Sequence, residues 1–217
     1  MDEELQSLMA LLESHQEPGQ RLFNACEGTL YPCDGLAMAV LDRSMSLLKG
    51  FHLLLSNGGF VPGAGLLRMQ LDNVLRFHGV VVSGDPHGLA NQMANGVNLN
   101  VLKNGIGTRL TDRNLVKLLA PANPGIEEIY TNASGYVHLS GSHIGHFLTR
   151  SKIDSQGNRL FAIGDDDEYM DPNQKRHLIS VFATLTRCVL HIVQQWANGR
   201  ESHGTSEELA ARFKHAL

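Results

Sequence analysis

Residues 57–86 read NGGFVPGAGLLRMQLDNVLRFHGVVVSGDP. Asn57, Gly58 and Gly59 at one end tolerate positive φ, and Ser83, Gly84, Asp85 and Pro86 at the other punctuate a chain that is turning. Between them Leu66, Leu67, Met69, Leu71, Val74, Leu75 and Phe77 cover most faces of a 3.6-residue spiral, and Pro62 suits a first turn. A helix apolar on most faces is buried on several sides, so other helices must surround this one. The stretch therefore predicts a helical bundle.

Working outward, the neighbours supply those helices. Leu5, Leu8, Met9, Leu11 and Leu12 predict an amphipathic helix over 3–15, stopped by Pro18-Gly19. Asp34 is placed to cap a long helix that runs to about Ser56. Shorter helices are predicted over 87–103, 112–119 and 125–139. A last long helix starts near Asp171-Pro172 and ends at Asn198-Gly199, with a tail helix over 205–216. One region breaks the pattern: short apolar runs flank Ser155-Gln156-Gly157-Asn158, which suits a small hairpin from 148–153 to 159–163, or an irregular loop. No repeat and no long linker divides the chain. The expected fold is all-α: one domain over 1–217, a bundle of long antiparallel helices with a small β-hairpin insertion near 148–163. Its core spans about 35–199, and the two end helices pack on it or extend from it.

Composition narrows the function classes. Of 22 acidic residues, five (Asp165, Asp166, Asp167, Glu168 and Asp171) fall within seven positions, so the remainder of a chain of net charge −4 is close to neutral. The broad basic footprint of a nucleic-acid binder is absent, although a local basic groove is compatible with these numbers. The acidic run lacks the spacing of a calcium loop and suits charge at a helix N-terminus. The acidic, amphipathic start MDEELQSLMALLESH is unlike a signal peptide, and no run of about 18 uncharged apolar residues occurs. A cytoplasmic protein without a membrane partner is the expectation. Cys26, Cys33 and Cys188 form no CxxC pair, so neither a disulfide framework nor a zinc site is expected, and no cofactor is implied.

Two groups of residues are candidates for chemistry. In a helix beginning near Pro124, Tyr130, Ser134 and His138 recur every fourth residue along one face, and Glu127 and Thr131 extend the stripe by a turn. A hydroxyl one turn from an imidazole can fix its tautomer, which suits a general base or a polar ligand. The same pair equally suits a satisfied polar contact between helices. His138, His143 and His146 lie within nine residues, but Gly141 and Gly145 predict a loop there, and no paired ligand spacing such as HExxH supports a metal. The second group is Arg68, Asp72 and Arg76, one stripe on the apolar helix, with two cations about one carboxylate. The leftover positive charge would want Glu127, a bound anion or the acidic run as partner. An ordinary solvent-facing stripe is the alternative.

The pair GAGLLRMQLDNVLRF (63–77) and YTNASGYVHLSGSH (130–143) resembles a group of bacterial proteins of the HEPN-like helical class, over roughly residues 35–195. There an arginine-bearing buried helix recurs with a Tyr…Ser…Val-His helix. The resemblance implies a bundle, often dimeric, in a superfamily that includes RNA-cleaving toxins and phage-defence proteins. Their signature is an arginine, four to six residues, then histidine, with the site formed between two protomers. His138 takes the place of the motif histidine, but Thr131, Asn132 and Ser134 stand where the arginine belongs. Arg187 and His191 have only three residues between them.

Three readings follow. One is a HEPN-like binding or regulatory module in a toxin or defence setting, partnered by a second copy, another protein or RNA. Another is a metal-independent ribonuclease using His138, with Arg68 or Arg76 converging on it. The third is a helical enzyme or small-ligand protein with a closed polar pocket between the apolar helix and the 125–139 helix. Phe182, Leu185, Val189, Ile192 and Trp196 on the last long helix are either core or a dimer surface.

Overall fold

A computed structural model describes residues 2–161, 163, 164 and 171–202. The acidic residues 165–168 and the tail expected to be helical over 205–216 lie outside the described residues. The chain is an all-α bundle with one small antiparallel hairpin. In order it forms α1 (Asp2–Met9), α2 (Gln16–Asn24), α3 (Pro32–Ser56), α4 (Phe60–Val81), α5 (Pro86–Ala94), α6 (Asp112–Leu119), α7 (Ile126–Val137) and α8 (Gly141–Thr149). The hairpin strands β1 (Lys152–Ile153) and β2 (Arg159–Leu160) follow, then α9 (Pro172–Ser202).

The quoted stretch is α4, and it is surrounded as its composition requires: α3, α9, α7, α6 and α5 all pack on it. Two glycines set the closest approaches. A Cβ on Gly63 would lie 2.5 Å from Leu55 Cδ2, and one on Gly79 would run into Leu115, so α3 and α6 seat where α4 has no side chain. Phe51 of α3 stacks on Phe182 of α9 with ring centroids 4.0 Å apart. Each such fully buried ring or leucine is worth about 1.5–3 kcal/mol in area removed from water.

Several local expectations give way to specific contacts. Pro18 does not stop the first helix for good; it sits in the first turn of α2, where its missing N–H costs nothing. Asp34 is not the residue before α3 but its third, and its carboxylate accepts the N–H of Tyr31 at 2.9 Å. The same carboxylate is fully buried, pairs with Arg200 Nη2 at 3.0 Å and accepts Trp196 Nε1 at 2.8 Å, so it ties the start of α3 to the end of α9. The helix predicted over 87–103 ends at Ala94, because Gly96 turns the chain at φ 84°. Gly141 and Gly145 do not make a loop: both lie in α8, and a Cβ on either would meet nothing.

α9 resolves the choice between core and surface. Phe182, Leu185, Val189 and Trp196 are buried in the bundle, and Ile192 packs against it half-buried. By length and composition α9 could cross a membrane, with a most apolar window of mean hydropathy 1.3, but 44% of that window is buried inside the bundle. Apolar surface is exposed elsewhere instead, at Leu139, Ile144, Phe147 and Leu148 on α8 and its approach, and at Ile153, Leu160, Phe161 and Ile163 on the hairpin.

Candidate functional site

The arginine stripe is half-buried and closed by its own pairs. Asp72 lies between Arg68 and Arg76 on α4, taking both guanidinium groups and, at 3.2 Å, Arg43 Nη1 of α3. Asp112, the first residue of α6, answers a second charge, at 2.7 Å from Arg68 Nη2 and 3.1 Å from Arg76 Nη2, so three arginines and two aspartates keep one net positive charge, with Arg43 at the exposed edge. Glu127, expected in that role, is exposed and pairs with neither arginine. Burial opposes the charge on Arg76, but the hydrogen bond and charge of Asp72, with Asp112 adding to them, outweigh it and hold the pKa above the ordinary arginine value. The Arg68 guanidinium lies over the Tyr130 ring, 4.8 Å from its centroid, so α7 is joined to the network by a cation–π contact.

Behind this network runs a polar chain through the core that the sequence reading missed. Arg43 Nη1 donates to Asn73 Oδ1 (2.7 Å), and Asn73 Nδ2 donates to Gln70 Oε1 (3.0 Å). Gln70 Nε2 donates to Ser44 Oγ (2.7 Å) and Thr186 Oγ1 (3.0 Å), and Ser44 meets His15 Nε2 at 2.9 Å. With its other nitrogen on Leu11 O at 2.7 Å, His15 is a neutral imidazole that donates from Nδ1 and accepts at Nε2. Burial lowers its pKa, against the raising effect of the Leu11 and Leu12 carbonyls. Gln70, fully buried, spends both amide N–H groups on hydroxyls and its oxygen on Asn73, as a buried network requires. The sequence signal was there: Gln70 and Asn73 interrupt a helix that is otherwise apolar on that face.

The second stripe does not assemble as the spacing suggests. Tyr130 and Ser134 lie on α7 and are half-buried, but the helix ends at Val137, and His138 takes extended backbone (φ −113°, ψ 144°) with its side chain exposed. His138 hydrogen-bonds neither Ser134 nor an arginine among the described residues. His143 serves its own helix, its Nδ1 accepting the N–H of Ser140 at 3.4 Å at the start of α8. Among the described residues no three His, Cys, Asp or Glu side chains are grouped to hold a metal ion. The thiols of Cys33 and Cys188 are free and both are made less acidic by burial.

On the opposite flank of α7 the structure leaves space. A cavity of about 760 Å³, open on one side, lies between α4, α7, α8 and the first turns of α9. Its floor is apolar, made by Phe60, Ala64, Leu67, Ile129, Ala133, Leu178 and Val181. Its rim is polar, with Glu128, Asn132, Tyr136, His146, Thr149, Asp171, Asn173, Gln174 and His177. His146 stacks on Phe60 at 5.3 Å and 12°, and Tyr136 meets the same ring edge-on at 5.9 Å. Burial raises the Tyr136 pKa, so its phenol stays a neutral donor. The expected closed polar pocket between α4 and α7 is thus an open-sided one with an apolar interior.

The chain matches no family model, and no significant match occurs among curated proteins or solved structures.

Proposed function

We propose that this chain is a HEPN-like helical binding module that works by holding an apolar small molecule under α8 rather than by cleaving a substrate. The observation that carries the reading is the cavity. Its volume falls in the range of small-molecule sites, roughly 300–1,000 Å³, and its apolar floor with a few convergent polar groups is how such sites are built. The arginines that a ribonuclease would turn toward a phosphate are committed to Asp72 and Asp112, and His138 stands apart from them. A regulatory role in a toxin or defence setting is the context implied by the resemblance of α4 and α7 to the HEPN-like class.

The partner we assign is a second copy of the chain, met through α8 and the hairpin. Leu139 (92% exposed), Ile144 (61%), Ile153 (68%) and Ile163 (93%), with their neighbours, leave apolar surface uncovered there. Phe147 of α8 stacks on Phe161 beside β2 with ring centroids 5.0 Å apart, so the exposed apolar side chains of α8 and the hairpin adjoin, as they do at an interface.

The test of the cavity uses a neutral fluorescent probe, N-phenyl-1-naphthylamine, with wild type and Gly145→Leu. Gly145 lines the cavity and has open space at its Cβ, so leucine there fills the mouth without displacing a neighbour. Saturable fluorescence in the wild type and none in the variant is the expected result. Equal fluorescence in both would place the probe on the outer surface and remove the basis for the reading.

A further inference from the structure

The cavity also carries information about the charge of what fits it, an inference that rests on the ligand-binding reading above. Two carboxylates, Glu128 and Asp171, line its rim, and among the described residues no lysine or arginine does. Glu128 makes no ion pair among the described residues. Asp171 caps α9, one oxygen accepting the N–H of Asn173 at 2.9 Å, and it makes no ion pair among the described residues. Arg176 reaches Asn173 Oδ1 at 3.5 Å from outside and does not line the space.

Inside the rim stand the rings of Phe60, Tyr136 and His146, with His146 stacked on Phe60. An open aromatic face attracts a cation through its quadrupole, the more so as the charge is desolvated. Carboxylates at the mouth of a low-dielectric cleft focus the same preference and repel an anion. The floor, in turn, rewards an apolar body. We infer that the cavity selects an apolar ligand bearing one positive charge, of the hydrophobic amine or quaternary ammonium class, and rejects carboxylates and phosphates. RNA is therefore not its occupant.

Three probes of one shape separate charge from size: 4-phenylbutylamine, 4-phenylbutan-1-ol and 4-phenylbutyrate. They would be titrated calorimetrically at low ionic strength and pH 8, where free imidazoles are neutral. The amine is expected to bind at least ten-fold more tightly than the alcohol, and the butyrate more weakly than either. In the double variant Glu128→Gln, Asp171→Asn the amine should fall to the level of the alcohol while the alcohol is unchanged. Asparagine still caps a helix and glutamine is isosteric, so the fold is kept. Alcohol binding without an amine advantage, an advantage that survives both amides, or preferential butyrate binding would overturn the charge inference while leaving the cavity as a site. If none of the three binds, the charge inference and the ligand-binding reading fall together.

Discussion

The two flanks of α7 treat polar groups in opposite ways. Toward α6, Tyr130 meets Arg68 in a network where Asp72 and Asp112 answer the arginines and the polar chain behind them is satisfied as far as His15. Toward α8 and α9, Glu128 and Asp171 border an apolar space, and no cation among the described residues answers them. A network in which each arginine is held by a carboxylate holds the helices in place, and the one net positive charge it keeps lies with Arg43 at its exposed edge. A rim with unanswered charge around an apolar hollow is an address for a ligand. The arginine stripe conspicuous in the sequence thus belongs to the closed flank, while the open flank joins His146 of the histidine cluster and Asp171 of the acidic run to residues that carry no motif.

The largest effect is expected where the closed flank is broken. Asp72→Ala leaves three arginines crowded in half-buried space, at a cost of about 3 kcal/mol. In a chain of this size that lowers Tm by roughly 10 °C, readable by calorimetry. A change under 0.5 kcal/mol would mean the network is an ordinary surface stripe. On the open side, Ile144→Glu, exposed on α8 away from the cavity, should convert a sedimenting dimer to monomer. Monomeric wild type at tens of micromolar would cancel the partner assignment. Gly145→Leu should abolish probe binding yet raise stability by up to about 1 kcal/mol, since leucine favours helix over glycine. A stability loss would show that α8 is closely packed there after all.

Smaller effects follow from the histidines. Burial lowers the pKa of His15, His78 and His87. Such imidazoles take up protons more readily in the unfolded chain, so stability is whole above the ordinary value of about 6.5 and is lost as pH falls below it. Tm should decline between pH 7 and pH 5, with a shallower slope in His78→Gln. A flat profile would contradict that burial. His138→Ala, at an exposed position outside α7, should change stability by less than about 0.5 kcal/mol. RNA incubated with wild type in EDTA should remain intact; cleavage lost in His138→Ala would restore the ribonuclease reading.

Periodicity made the bundle legible. The apolar faces of α3, α4 and α9 announced helices and mutual burial, and the turn at Gly157 announced the hairpin. What it could not convey was how ends are fixed. Asp34 read as a cap because caps are local, whereas its ties to Trp196 and Arg200 span the whole chain. Asp112 read as a helix start for the same reason. Equal spacing put His138 in line with Ser134, but a stripe exists only while the helix continues, and α7 stops one residue short. The cavity rim draws Glu128, Asn132, His146 and His177 from three helices, and no spacing within one segment foretells that meeting.

The most direct test of the difference between the flanks is methyl NMR of the protein titrated with 4-phenylbutan-1-ol. The shifts should fall on Ala64, Leu67, Ile129, Ala133, Leu178 and Val181, and leave Leu75 and Leu115 beside α6 unmoved. Shifts confined to Leu139, Ile144 and Ile163, or spread evenly over both flanks, would contradict it.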